Sequence, residues 1–449
     1  MSLSGLISAL PAIGVLAILI VVHELGHFMA ARLQGIYANK FSIGFGPILW
    51  KYQGPETEYA IRAFPLGGFV GFPDDDPEEN KIDPNDPNLL RNRPILDRAI
   101  VISAGVIANL IFAYLILVLQ VGTVGVQQTS QPGVLIDGFF KVSQVSPQAA
   151  QAGIQAGDSL FIDSSKEQGK FDVVYNPATN SVDLLTTSTS PLELQLGRKD
   201  EAGKLKPVKV TLTPEVGTDG KGATGIQLTP TPAVQAGLKP GDVVLALNGQ
   251  EFGQSVRSIQ AFQKTIRENP GKPVEFKVKR GDQVFPITVT PKPNAENEGT
   301  IGVGLSPNGE IQRQRVNPIA AFGVGAEEFQ NIVNDTIAGF GQLISRFSKV
   351  ADQVAGPVAI VAVGAKIAQS DAASLFQFAA LISINLAIIN ILPLPALDGG
   401  HLAFLLIEGV RGKPLPTKIQ DGVMQTGLML LLGLGIFLII RDTANLIPQ

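Results

Sequence analysis

The chain has no cysteine. Disulfides and thiolate-held metals are therefore excluded, and any zinc site must be built from imidazoles and carboxylates. Histidine is nearly absent as well: His23, His27 and His401 are the whole supply. Charge is scarce. Asp, Glu, Lys and Arg make up 16% of the 449 residues, against roughly 25% in typical soluble proteins, and the shortfall points to buried or lipid-facing segments. The net charge of −4 and the lack of a basic patch argue against a nucleic-acid partner. The N-terminus has no basic run and no Ser/Arg enrichment, so neither a signal peptide nor a transit peptide is expected.

What is abundant is apolar sequence in blocks. Four segments, Ile7–Ala31, Ala99–Val121, Leu375–Leu397 and Val423–Ile440, have the length needed to cross about 30 Å of hydrocarbon. Ala320–Phe347 mixes apolar residues with Glu327, Glu328, Asn331, Asn334 and Asp335 and reads as an amphipathic helix on the membrane surface. Val358–Ala365 could extend the membrane region. The link between the first two spans carries Arg32, Lys40, Lys51, Arg62, Lys81, Arg91, Arg93 and Arg98, and that between the last two carries Arg411, Lys413 and Lys418. Both links are expected to face the cytoplasm, with the termini and central region on the far side.

The central region, Thr123–Ile311, alternates β-branched residues with Gly, Pro, Asp and Asn, the pattern of a soluble β-rich domain. It also repeats. Val145-Ser146-Pro147 leads into Ala152-Gly153-Ile154-Gln155-Ala156-Gly157-Asp158. Later, Thr229-Pro230-Thr231-Pro232 leads into Ala236-Gly237-Leu238-Lys239-Pro240-Gly241-Asp242. A repeat at about 80 residues means two copies of one small domain.

His23-Glu24-Leu25-Gly26-His27 is an H-E-x-x-H motif in an apolar span. Residues i and i+4 share a helix face, so both imidazoles can reach one metal, and Glu24 can act as general base. Polar groups at that depth are costly and usually functional; histidines satisfied by backbone are the alternative. Zinc needs a further protein ligand, a His, Asp or Glu from another membrane segment. At Asn390-Ile391-Leu392-Pro393-Leu394-Pro395-Ala396-Leu397-Asp398-Gly399-Gly400 two prolines break the third span and free backbone carbonyls. Asp398 follows at the break, either as that ligand or in a simple Asp-Gly turn; beside the first motif, the ligand reading is preferred. His401 suits a supporting or interfacial role, since a catalytic zinc keeps a position open. The acidic run Asp74–Glu79 reads as a solvated loop that could also bind a cation.

Nearly end to end, this pattern resembles the site-2 proteases, specifically the bacterial regulator-of-sigma-E protease group. Phe41-Ser42-Ile43-Gly44-Phe45-Gly46-Pro47 is similar to that family's membrane-dipping hairpin, and Gly356-Pro357 to its G-P before the third span. The resemblance implies one catalytic zinc on His23, His27 and Asp398, with Glu24 as base. It implies that Asn390 contacts the substrate backbone or the developing oxyanion. The β-hairpin, about Phe41–Phe72, would offer an edge strand to an unwound substrate, with Gly44, Phe45, Gly46, Pro393 and Pro395 in the substrate site. The repeats resemble PDZ domains. The first has Asp163-Ser164 where the second has Leu247-Asn248, and an insertion-like stretch at Ser165–Thr189. The chain departs from the family's G-P-x-x-N at Gly105-Val106-Ile107-Ala108-Asn109, a change expected to leave helix packing intact.

The expected fold is thus a polytopic α-helical membrane protein of about four spans, with a membrane-associated β-hairpin and two inserted PDZ-like α/β domains. Its parts are residues 1–122 (membrane core), 123–214 and 215–311 (PDZ-like domains), 312–370 (membrane-surface segment) and 371–449 (membrane core). The expected activity is zinc-dependent intramembrane endopeptidase action on transmembrane protein substrates in contact with membrane lipid. The resemblance suggests anti-sigma-factor-like proteins or remnant signal peptides as substrates. A bacterial inner membrane is favoured, with the PDZ-like domains extracytoplasmic; a plastid membrane is the alternative. The repeats would exclude bulky ectodomains or, alternatively, bind peptide C-termini. An inactive scaffold is disfavoured by the intact Glu24. A transporter is disfavoured because the spans show no inverted repeat.

Overall fold

The computed structural model describes residues 3–75, 82–167, 170–200, 205–216, 222–345 and 354–446. Within the acidic run, residues 76–79 lie outside the described residues, as does Lys81; Asp74 pairs with Arg91. The chain forms two compact units, Met1–Val126 with Arg315–Gln449, and Gln127–Gln314.

The first unit is helical. Among the described residues four segments are long and apolar enough to cross a membrane: Ser8–Leu33, Ile95–Thr123, Ala372–Ile391 and Thr417–Asn445. They coincide with α1 (Leu3–Leu33), α2 (Ile95–Thr123), α8 (Leu375–Ile391) together with the 3-10 turn Ala372–Ser374 before it, and α10 (Thr417–Leu446). The third ends at Ile391, six residues before the sequence-based limit. Leu392 precedes Pro393 and is extended (ψ 142°), because the proline ring disfavours helical backbone before it.

Small residues bring these helices together. A Cβ on Gly26 of α1 would lie 2.4 Å from the Ala104 carbonyl oxygen and 2.7 Å from the Ala108 Cβ of α2. Lipid tails are as apolar as leucine, so close backbone packing and hydrogen bonds, not water exclusion, hold such helices together. One such bond joins Ser383 Oγ of α8 to the Asn109 carbonyl (2.8 Å).

The helix expected on the membrane surface is α6 (Pro318–Ser345). Its contacts with α2 step in opposite directions along the two chains: Ala321 lies against Gly122, Gly325 against Val118, and Phe329 against Tyr114. The first half of α6 therefore runs antiparallel along α2, and Ile332 joins a core with Ala113, Leu117, Ala380 and Ile384. The apolar piece at Val358–Ala365 lies in α7 (Pro357–Ser370). Gly364 of α7 sits against Ala12 and Phe378. Its N-terminus is capped from afar: Asp442 Oδ2 of α10 accepts the Ala359 N–H (2.9 Å).

A hairpin, β1 (Lys40–Gln53) and β2 (Glu58–Gly71), follows α1. Both strands bend. Residues 40–43 pair with 68–71 on one side and with 58–61 on the other, while 58–61 also pairs with 50–53. Residues 68–71 are thus one outer edge of this small sheet. Trp50, Tyr52, Leu49 and Phe64 are exposed on it.

The second unit is β-rich. Its chain order is β3 (Val126–Thr129), β4 (Val134–Val145), α3 (Pro147–Gln151), β5 (Ser159–Ile162), β6 (Phe171–Asn176), β7 (Ser181–Thr186), β8 (Leu192–Lys199), β9 (Leu205–Leu212), β10 (Glu215–Val216) and β11 (Gly222–Leu228). Then come α4 (Pro232–Gln235), β12 (Val243–Leu247), β13 (Gln250–Glu251), α5 (Ser258–Arg267), β14 (Val274–Arg280), β15 (Gln283–Val289), β16 (Lys292–Pro293), β17 (Gly299–Thr300), β18 (Gly304–Pro307) and β19 (Ile311–Gln314). The repeat yields two hydrophobic cores, one around Leu160, Leu184, Leu196 and Ile226, the other around Val244, Phe262, Phe276 and Val289.

The cores are not consecutive stretches of chain. Strand β4 serves both: Val134 and Ile136 belong to the second core, Phe140 and Val142 to the first. Strand β11, beyond residue 214, belongs with the first core through Ile226 and Leu228. Each module carries the same buried clasp. Arg198 donates two hydrogen bonds to Asp158 and a third to the Gly153 carbonyl; Arg280 does the same to Asp242 and the Gly237 carbonyl. Burial alone would raise the Asp158 pKa, but the Arg198 hydrogen bonds and the Gln155 N–H outweigh it and hold it below the usual carboxylate value.

Candidate metal centre

The histidines of α1 sit where 3.6-residue periodicity puts i and i+4, on one face. Their Nε2 atoms are 3.2 Å apart. Asp398, the first residue of α9 (Asp398–Arg411), brings Oδ2 to 3.2 Å from His23 Nε2 and 3.5 Å from His27 Nε2. His23, His27 and Asp398 form a group able to hold a metal ion. His401 is on the exposed side of α9 and outside this group.

The donor set fits zinc. His27 Nδ1 lies 2.8 Å from the Val101 carbonyl; as donor there it leaves Nε2 with a free lone pair. Asp398 Oδ2 is buried and makes no hydrogen bond. Three potential ligand atoms thus converge on one point. Their separations match the edges, about 3.3–3.6 Å, of a tetrahedron with bonds of roughly 2.0–2.2 Å.

Helix α2 frames the pair. A Cβ on Gly105 would lie 2.4 Å from His27 Nε2 and 2.7 Å from His23 Cε1, so only glycine leaves room there. Asn109 is fully buried, with Nδ2 3.4 Å from His23 Nδ1 and Oδ1 unpaired. Turning this amide over lets Oδ1 accept the His23 Nδ1–H and frees His23 Nε2 for a metal, resolving both features at once. The Gly105–Asn109 stretch thus frames the histidines as well as packing helices.

The broken end of α8 places Asp398. Added Cβ atoms on Gly399 and Gly400 would meet the Leu392 oxygen at 2.1 Å and the Leu394 oxygen at 2.5 Å, so α9 can start tight against the Leu392–Pro395 turn only with glycines. Ala396 sits at φ +68°, a left-handed conformation costing an alanine about 1–2 kcal/mol and of the kind that collects at functional sites. Pro395 packs on Gly427 of α10, where a Cβ would lie 2.2 Å away. Asn390, on the last turn of α8, brings Nδ2 to 3.4 Å from His23 Nε2.

Glu24 is only partly exposed and lies beside the outer edge of the hairpin. Gly68 is close enough that a Cβ would sit 3.0 Å from Glu24 Cγ, and the Val70 backbone is in hydrogen-bonding reach of its carboxylate. The residues touching Glu24 are thus in Gly68–Val70, a stretch the sequence reading did not single out. Gly44 and Gly46 occur at φ +86° and +84° and fold β1 back, and Phe45, half exposed, packs over Gly67. The Arg62 guanidinium ties this fold together by donating to Ser42 Oγ (2.8 Å) and the Gly46 carbonyl (2.9 Å).

The chain is similar to known proteins along most of its length. Peptidase family M50 matches residues 11–434. The chain is 53% identical over 442 residues to a Nostoc sp. protein named as a zinc metalloprotease, covering 98% of this chain and 97% of that one. It is 41% identical over 443 residues to a chloroplastic membrane metalloprotease of Arabidopsis thaliana, covering 98% and 79%. Over 451 residues it is 32% identical to the regulator of sigma-E protease of Escherichia coli, covering 94% and 96%. With a donor set suited to zinc inside apolar helices, the chain belongs to peptidase family M50, the membrane-embedded zinc metalloproteases of the site-2 group.

Proposed function

We propose that the protein is an intramembrane endopeptidase that uses one zinc ion to hydrolyse peptide bonds in or beside transmembrane segments of other proteins, as in regulated intramembrane proteolysis. The observation carrying this reading is the convergence of His23, His27 and Asp398, 3.2–3.5 Å apart, beside Glu24. The ion, when bound, supplies Lewis acidity. Glu24 takes the proton of the attacking water and returns it to the leaving amine. The Asn390 amide donates to the substrate carbonyl as negative charge develops. A helical substrate must unwind to expose the bond, and its freed N–H and C=O groups find no partners in lipid. The outer edge of β2 beside Glu24 supplies them, with Gly44, Phe45, Gly46, Pro393 and Pro395 shaping the site. Glu24→Gln should retain zinc and fold while losing at least 1,000-fold in turnover, on the scale of a lost base and its charge. Turnover near wild type on a single-span substrate would refute the assignment.

The basic links then face the cytoplasm of a bacterial inner membrane, or the equivalent side of a plastid membrane, and the β-rich unit, read as two PDZ-like domains, faces the other side. Reporter fusions at Asp83 and Asn248 should report opposite compartments; one compartment for both would overturn this topology. Anti-sigma-factor-like proteins or remnant signal peptides are the substrate classes that fit, and the PDZ-like domains restrict or capture them.

A further inference from the structure

The two modules are built on one plan. In each, a strand pair (β8–β9 or β14–β15) leads through one strand (β5 or β12) to β4 and then to a last strand, β11 in the first and β18 in the second. The last strands correspond residue by residue. Gly225 and Gly302 both have positive φ and both pack on the residue capping their module's short helix: a Cβ would sit 2.1 Å from Ser146 Oγ in one and 2.6 Å from Thr231 Cγ2 in the other. Leu228 therefore matches Leu305, and Pro230 matches Pro307.

The modules differ at the far edge of that strand. In the first, β11 is paired on its second side by β7, with Asp183 opposite Gln227 and Val182 opposite Leu228, and β6 continues the sheet. The β6–β7 hairpin occupies the stretch of chain where the second module has α5. In the second, β18 pairs with β4 alone among the described residues, and α5 lies alongside it. The direction of the bare groups follows from β4. Ile136 gives its N–H to the Asp242 carbonyl and accepts from the Gly241 N–H, so its hydrogen bonds point toward β12. Leu305, opposite Ile136, is therefore in a non-hydrogen-bonded pair, and its N–H and C=O point away from β4.

We propose that the β6–β7 hairpin is a built-in ligand that closes the first module, and that the second module alone takes an extended segment of another polypeptide along β18. The occupant is argued from the molecule itself: the chain's own strand β7 already fills the matching edge of the first module. The assignment rests on the reading that the β-rich unit meets peptide substrates. It makes the first module a closed spacer and the second the docking site.

The test uses the full chain carrying Glu24→Gln, so that nothing is cut, in lipid nanodiscs. A random heptapeptide phage library is panned against it, and enriched peptides are synthesised and titrated. The expected result is one peptide per chain, slowing deuterium exchange in residues 301–307 and leaving 224–230 unchanged. Leu305→Pro removes the outward N–H and should weaken binding at least tenfold, with exchange in 224–230 as the folding control. Replacing 171–186 by a short Gly-Ser linker should expose β11 and raise the stoichiometry to two. No enrichment over empty nanodiscs, protection of 224–230 in the unmodified hairpin, or binding that survives Leu305→Pro would each overturn the proposal. If the linker variant unfolds, the exchange and Leu305→Pro arms still decide it. A wild-type chain that binds the peptides but cleaves no membrane substrate would refute the protease reading and leave this one standing.

Discussion

Leu228, Phe262 and Phe276 are sealed inside the β-rich unit, whereas Met429, Leu430, Leu432 and Phe437 stand on the outside of α10. The same residue classes face opposite ways because the solvent differs. Water drives the first set inward at roughly 25 cal/mol per Å² of apolar surface removed. Hydrocarbon gives the second set no such drive, and helix association falls to close packing at Gly26, Gly325 and Gly364 and to isolated hydrogen bonds such as Ser383 to Asn109. The lesson concerns sensitivity. In the helical unit a few atoms at helix crossings carry the arrangement, and in the β-rich unit the load is spread over many side chains.

Three substitutions and one control sharpen that contrast. The largest effect is expected from Gly105→Leu, whose side chain must enter the space of both histidine rings. Zinc content measured by elemental analysis should fall below about a tenth of an ion per chain, a loss on the scale of a broken donor set. The same substitution at Gly253, where an added Cβ meets nothing within 4 Å, should leave zinc and melting temperature nearly unchanged. Equal outcomes at the two sites would break the comparison.

Asn109→Leu comes next. It keeps the branched heavy-atom shape but removes the acceptor for His23 Nδ1–H, and zinc affinity in chelator competition should drop about 10- to 100-fold. Unchanged affinity would mean that His23 is oriented without it.

The smallest effect belongs to the β-rich unit. Asp158→Ala should cost about 1.5–3 kcal/mol, the worth of hydrogen bonds to a charged group, while zinc content stays constant. Because the folded-state pKa of Asp158 is lowered, its contribution is complete above the unfolded carboxylate value of about 4 and fades as pH falls toward the folded value. Thermal unfolding followed from pH 7 to 3 should therefore show wild type and Asp158→Ala converging at the acid end. A gap that stays constant would exclude the clasp as the cause.

Much of the centre is legible in the sequence, because its chemistry is local. The spacing of His23 and His27 is a helical period, the histidine supply is tiny, and Asp398 is marked by two prolines. The supporting residues are less so. Gly105 and Asn109 read as packing positions, since nothing in a linear motif says which helix crosses which. Gly68 and Val70 reach Glu24 only because β1 bends at Gly44 and Gly46 and pairs on both sides.

The fold divides in the same way. Four apolar stretches announce themselves by length. The packing partner of α6 does not: only the match of Ala321 and Gly325 to Gly122 and Val118 sets its first half along α2. The internal repeat is visible at Gly157-Asp158 and Gly241-Asp242. The sharing of β4 is hidden, because strand partners such as Leu135 and Val243 lie about a hundred residues apart. The β6–β7 hairpin registers only as irregular sequence at Ser165–Thr189.

The cap on α7 has a practical side for anyone handling the protein. Its carboxylate belongs to Asp442, eighty-three positions downstream of the amide it receives, and the neighbouring Arg441 holds the Val354 carbonyl. The start of α7 is thus finished by residues of α10. A truncation upstream of Arg441 would strip α7 of its anchor and loosen a helix that packs directly on α1, the carrier of both histidines.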